Sequence, residues 1–224
     1  MAKAGSILDM THGSAMGKMF AFAAPLLIGN VFQQFYSIAD TMVAGYCLGD
    51  SAIAAYTAAR RIIAVGMQPL MTMADAAGTF AAQNHGAGQK QRIREGVWKM
   101  LGIQALWSAL ACAAVFLFGS SIIRLTTGTA DAAVLANAIL SLRIHFPFFP
   151  LLGAVLTLRI VMQSLGETKM PVISSLIELA IKILSVLWII PAFGFAGVCA
   201  TEPAAWLIMS LFLLTVVKVR KLLS

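Results

Sequence analysis

The chain has 224 residues, 60% of them hydrophobic and only 11% charged. Soluble domains run at about half apolar and about a quarter charged, so this chain lacks the polar residues to cover a water-facing surface. A net charge of +7 would suit nucleic acid in a soluble protein. Here the basic residues cluster in short segments between apolar runs, and no nucleic-acid module is present, which excludes that partner.

Several stretches of roughly 20 residues hold one charge or none, the length that crosses about 30 Å of hydrocarbon as a helix. Lipid offers no partner to backbone N–H and C=O groups, so each span must satisfy its own. The expected fold is therefore an all-α integral membrane protein with the lipid bilayer as its surroundings. Residues 1–18 are mixed and polar, unlike a cleavable signal, and are expected to form a cytoplasmic segment. Residues 19–224 are expected to form one six-helix membrane domain.

Six spans are predicted in order. The first covers about Met19–Cys47 and stops at Gly49-Asp50. The second, about Ala52–Gln83, is expected to break at Gly66 and Pro69. A polar basic loop over residues 86–96 leads to the third, about Val97–Ile123. The fourth, about Leu135–Ser164, carries a Pro-rich break at His145-Phe146-Pro147-Phe148-Phe149-Pro150. The fifth, about Val172–Ile190, is expected to start at Pro171 and end at Pro191. The sixth covers about Val198–Val217. With the N-terminus inside, ten basic residues (Lys3, Lys18, Lys90, Arg92, Arg94, Lys99, Lys169, Lys218, Arg220, Lys221) face the cytoplasm. Four (Arg60, Arg61, Arg124, Arg143) face out. This bias predicts a multi-pass plasma-membrane protein with both termini cytoplasmic.

Charge inside a span is costly and marks a cavity or a partner. Asp40 lies well inside the first span, with Asn30, Gln33 and Tyr36 on the same helical side. That stripe faces either a structural hydrogen-bond network or a wet cavity where a carboxyl meets H⁺ or Na⁺. Glu178 and Lys182, spaced i, i+4, form an ion pair on one helix face or line the cavity. Asp75 and Arg159 are candidates for pairing across helices, or for headgroup positions with Arg159 snorkelling. Glu202 is expected to cap the start of the sixth span, and His145 to be a packed or interfacial histidine. The 12 Met and 13 Phe residues are expected to pack or face lipid, with a flexible cavity lining as the alternative. Cys47, Cys112 and Cys199 are far apart, and no metal-ligand spacing occurs. No P-loop, GxSxG or HExxH motif is present, so neither an enzyme nor nucleotide-driven pumping is expected, and no cofactor.

The segment Pro25–Gly45, which contains Gly29-Asn30, Gln33-Gln34 and Ala39-Asp40-Thr41, resembles the first helix of the MATE (multidrug and toxic compound extrusion) transporters. Ala54–Ile62, Ala82–Gln89, Gln163–Pro171 and Glu202-Pro203-Ala204-Ala205-Trp206 are similar to further family signatures, so the resemblance covers nearly everything after residue 10. It implies secondary antiport of drugs or organic cations against H⁺ or Na⁺, by proteins of about twelve helices in two lobes. It also implies a cation-coupling role for Asp40, with Asn30, Gln33 and Tyr36 beside it. The chain has half the family length. Its first helix resembles the first lobe and the rest the second, with a join near residues 49–51. One MATE-like lobe is thus expected, paired with a second lobe or in a homodimer. A non-transporting remnant and a lipid-linked oligosaccharide flippase of the same superfamily are the rival expectations.

Overall fold

A computed structural model describes residues 13–21, 23, 24, 27, 31, 49–128 and 131–219. The predicted first span therefore falls largely outside the described residues, and the predicted join at residues 49–51 falls at the start of the first described long helix. Among these residues the fold is helical throughout: α1 (Asp50–Gly86), α2 (Lys90–Thr127), α3 (Ala132–His145), a 3-10 turn (Phe146–Phe148), α4 (Phe149–Ser164), α5 (Lys169–Leu184), a π-helical segment (Ser185–Ile189) and α6 (Ile190–Val219).

Helix α1 is the hub. Its inward face is mostly alanine (Ala52, Ala55, Ala59, Ala74, Ala77 and Ala81 are all buried), and small side chains let helices approach closely where lipid gives no hydrophobic push. Gly78 shows how close: a Cβ built there would stand 2.4 Å from Cγ2 of Ile160 on α4. The expected break at Gly66 and Pro69 is absent, and α1 runs unbroken through both. Proline removes one backbone donor. On either side of it, the carbonyls of Gly66 and Leu70 take side-chain donors from α2, namely Trp107 Nε1 at 3.1 Å and Gln104 Nε2 at 3.0 Å. Gln104 is itself completed by the Thr157 hydroxyl, which donates to its Oε1 at 2.9 Å. A buried amide with partners on two other helices thus stitches α1, α2 and α4 at their centre.

Helix α2 buries one stripe (Ile93, Val97, Gln104, Ser108, Val115, Ile123) at the three-to-four spacing of a single helical face. The opposite side is equally apolar yet exposed, with Leu106, Leu110, Leu117, Phe118 and Leu125 between 59% and 88% accessible. So large an apolar surface is a lipid face. The helix begins at Lys90 rather than Val97, so the basic segment predicted as loop extends the helix beyond the hydrocarbon. Its C-terminus is closed by Gly128 at φ 64°, a left-handed cap with its N–H on the Arg124 carbonyl. Asp131 caps α3, accepting from Ala133 N at 2.8 Å.

The Pro-rich segment gives the predicted break as a single 3-10 turn between α3 and α4. The chain does not stop at Pro191. It passes through the π-helical segment and turns at Gly194 (φ 56°, ψ −133°), a conformation that glycine adopts without strain. Gly197 then lies against the Ile189 carbonyl, where an added Cβ would come within 2.8 Å. Three stretches are long and apolar enough to cross a membrane among the described residues: Lys90–Thr127, Ala132–Ser164 and Lys169–Val219, the last containing the Gly194 turn.

Candidate functional site: an ionic cluster beneath a cavity

The four helices that meet at the lobe's centre each bring one ionisable side chain to a shared point. Glu202, on α6, is the focus. Its Oε1 accepts from Arg60 Nη1 on α1 and lies 3.6 Å from Lys182 Nζ on α5. Its Oε2 lies 3.6 Å from His145 Nε2, at the end of α3. A second cluster sits beside it. Arg159 on α4 donates from Nε to Ser174 Oγ at 2.7 Å and from Nη2 to Glu178 Oε2 at 3.2 Å. The guanidinium of Arg60 also lies over the Tyr56 ring, 5.8 Å from its centroid.

These groups are well shielded, with Glu202, Lys182, Glu178 and Arg159 side chains between 9% and 12% exposed. Charge held so deep must be paired, and each of the four has an opposite charge in reach. Arg60, Arg159, Glu178, Lys182 and Glu202 all line one cavity of 310 Å³. The same lining includes soft apolar side chains, Met67, Met71, Met209 and Trp206 among them. Below it, Trp206 meets the rings of His145 and Phe149 edge-on, with centroids 5.9 Å and 6.2 Å away. The result is an amphiphilic chamber in which charges and polarisable sulfur and indole groups share the lining, with Arg159 Nη2 2.9 Å from Met209 Sδ.

Several sequence expectations are redrawn. Glu202 is not a cap: it sits eight residues beyond the Gly194 turn, inside the helix that follows and among cations. Arg60 lies inside α1, within the predicted second span, and lines the cavity, whereas the neighbouring Arg61 is exposed. Arg159 does not snorkel but points inward to Glu178, while Asp75 is exposed on α1. The i, i+4 spacing brings Glu178 and Lys182 to the same cavity, each also bonded to a charge from another helix. Asn30, Gln33, Tyr36 and Asp40 lie outside the described residues. Among the described residues no cluster of His, Cys, Asp and Glu could hold a metal ion. The Arg60–Glu202–His145 grouping escapes sequence reasoning because its members are 85 and 57 residues apart, though each is an ionisable group set in an apolar stretch.

A helical bundle with an apolar outer face and paired charges around an internal cavity has the build of a membrane-embedded protein. The MatE family model matches residues 25–189, and the chain belongs to that family, which is one of transporters rather than enzymes. Solved structures share the fold. A multidrug resistance MATE family transporter of the MOP superfamily is similar in its inward-facing conformation, at 17% identity and a TM-score of 0.79 over 94% of this chain. An outward-facing conformation of a multidrug resistance MATE family transporter of the MOP superfamily gives 17% and 0.81 over 97%. A MOP superfamily transporter from Pyrococcus furiosus, described as having a binding pocket of reverse polarity that suggests a different function, gives 18% and 0.81 over 98%. The chain spans about half the length of each, 50%, 49% and 50% respectively. No curated protein matches by sequence.

Proposed function

We propose that this chain is one lobe of a secondary active exporter, working with a second lobe or a second copy of itself. It would move a drug or organic cation out of the cell by exchange with H⁺ or Na⁺. The observation that carries this reading is the ionic cluster opening on a 310 Å³ chamber within a bundle whose outer face is apolar. Such placement is expensive in a membrane and marks a solute or ion path. One lobe supplies one wall of a central cleft; alternating access needs the other to rock against it.

Asp40, by its match to the family's first-helix aspartate, is the proposed coupling residue, with Asn30, Gln33 and Tyr36 beside it. Cation binding there and solute binding in the cleft would exclude each other, which is the coupling free energy an antiporter requires. The insertion is proposed to be in the plasma membrane with both termini cytoplasmic, following the bias of basic residues.

A second reading has its own support. Among the described cavity residues three are basic (Arg60, Arg159, Lys182) and two acidic (Glu178, Glu202). A basic excess suits an anionic solute such as a lipid-linked phosphate, and would make the chain a flippase lobe. Inverted vesicles holding the chain distinguish these readings. The exporter reading expects ethidium accumulation under an imposed H⁺ or Na⁺ gradient, lost in Asp40→Asn while membrane insertion persists. Accumulation of carboxyfluorescein instead would favour the flippase reading. No movement of either probe, with no dimer or second lobe recovered by crosslinking, would mark a non-transporting remnant and refute the proposal.

A further inference from the structure

His145 is fully buried and its ring is fixed on both edges. Nδ1 lies 2.7 Å from the Ser141 carbonyl, one turn earlier on α3. A carbonyl can only accept, so Nδ1 carries a hydrogen. On the other edge Nε2 has no hydrogen-bond partner, and the ionic atom facing it is Glu202 Oε2 at 3.6 Å. With its one hydrogen on Nδ1, the neutral ring turns an Nε2 lone pair toward a carboxylate oxygen. Two acceptors then face each other in a buried place. One proton added between them converts that opposition into a charge-assisted hydrogen bond, closing to roughly 2.8 Å.

We propose that His145 Nε2 and Glu202 form a proton-binding site whose occupancy is tied to the solute cavity. Glu202 makes the tie, since it lines the cavity and is held on its other oxygen by Arg60 and Lys182. A proton arriving from cavity water adds to Nε2, and the same bond breaks when it leaves. Arg60 on α1 and Lys182 on α5 are paired with Glu202, Tyr56 on α1 lies under Arg60, Arg159 on α4 and Glu178 on α5 line the same cavity, and Cys199 is one turn before Glu202 on α6. Without the proton, the described cavity groups sum to three positive and two negative charges. The proton raises the positive excess by one and draws Glu202 toward α3, away from the cations of α1 and α5. A cationic solute is therefore disfavoured while the proton is held, and admitted when it leaves. The solute half of this statement rests on the transport reading above; the proton site does not.

The test uses the full chain in nanodiscs with its histidines labelled for imidazole nitrogen NMR. His145→Gln assigns the His145 resonances. The expected result is a reversible titration in which Nε2 gains a proton between roughly pH 5 and 8, the range in which imidazole changes charge. Glu202→Gln is expected to displace that midpoint by about one pH unit or more, because the facing charge has gone. Addition of tetraphenylphosphonium, a lipophilic cation, is expected to move the wild-type midpoint as well, by linkage. An Nε2 that stays without a proton over that range overturns the site, and the wild-type spectrum decides this even if a variant fails to fold. A titration unmoved by Glu202→Gln overturns the pairing. A titration indifferent to tetraphenylphosphonium overturns the tie to the cavity. Vesicle transport is measured separately, so a proton site that titrates in a chain that moves nothing sinks the transport reading and leaves the site standing.

Discussion

Replacing Glu202 by glutamine removes one charge from a point where three basic side chains converge, and its effect can be sized from the geometry. Lys182 Nζ is 3.6 Å away and both side chains are nearly enclosed, at 9% and 11% exposure. At that distance and an effective dielectric near 20, the lost attraction is about 5 kcal/mol before desolvation is counted. Desolvation has already been incurred by Arg60, Lys182 and Glu202, and it is not returned to the cations when the carboxylate leaves. Removing one partner of a buried pair accordingly costs about 3–5 kcal/mol. For a chain of this size that corresponds to a melting temperature lower by about 10 °C, at roughly 2–4 °C per kcal/mol. The assay is thermal unfolding in detergent after Cys47 and Cys112 are replaced by alanine, followed with a thiol-reactive fluorophore that reports the exposure of Cys199, which is buried one turn from the cluster. Adding Lys182→Met to Glu202→Gln should recover part of the loss, since one stranded cation is then gone. A Glu202→Gln protein melting within about 2 °C of wild type would refute the claim that this carboxylate holds four helices together.

Two further predictions concern packing. Gly78→Ala places a methyl 2.4 Å from Ile160 Cγ2 and 2.9 Å from Ser164 Oγ; such overpacking should lower stability by about 1–3 kcal/mol. Ile160→Ala added to it should restore part of the melting temperature in the same thermal assay. Gln104→Leu strands the Thr157 hydroxyl and removes the donor to the Leu70 carbonyl, for an expected loss of about 1–3 kcal/mol. Thr157→Val added to Gln104→Leu should be milder than Gln104→Leu alone, and equal effects would show that the two side chains are not coupled.

The bilayer class of the fold was readable because it rests on composition and on the length of apolar runs, which no tertiary contact can change. Element boundaries were less so, for identifiable reasons. Pro69 looked like a break because its missing hydrogen bond is visible in sequence, whereas the donors of Trp107 and Gln104, more than 30 residues away, are not. Pro191 reads as the end of the fifth span, and the turn comes three residues on, at Gly194 in the Gly194-Phe195-Ala196-Gly197 stretch that separates the fifth span from the sixth. The basic run Lys90–Gly96 reads as a loop on polarity alone, although an exposed helical extension is just as polar. For the site, the sequence flagged charges in apolar stretches but could not pair them. Glu178 with Arg159, and Glu202 with Arg60, Lys182 and His145, are products of how five helices cross. Glu202 was misread because a boundary was misplaced: drawn near a helix start, an acid reads as a cap.

The account turns on a bundle that is greasy outside and wet at its ionic centre, and cysteine accessibility in native membranes reads this directly. After replacement of Cys47, Cys112 and Cys199, Met67→Cys reports the cavity wall and Leu117→Cys a position 74% exposed on the outer face of α2. A charged, membrane-impermeant thiosulfonate should label Met67→Cys and leave Leu117→Cys untouched, because lipid covers the more exposed residue. Rapid labelling of Leu117→Cys together with protection of Met67→Cys would contradict both the membrane embedding and the solvated cavity.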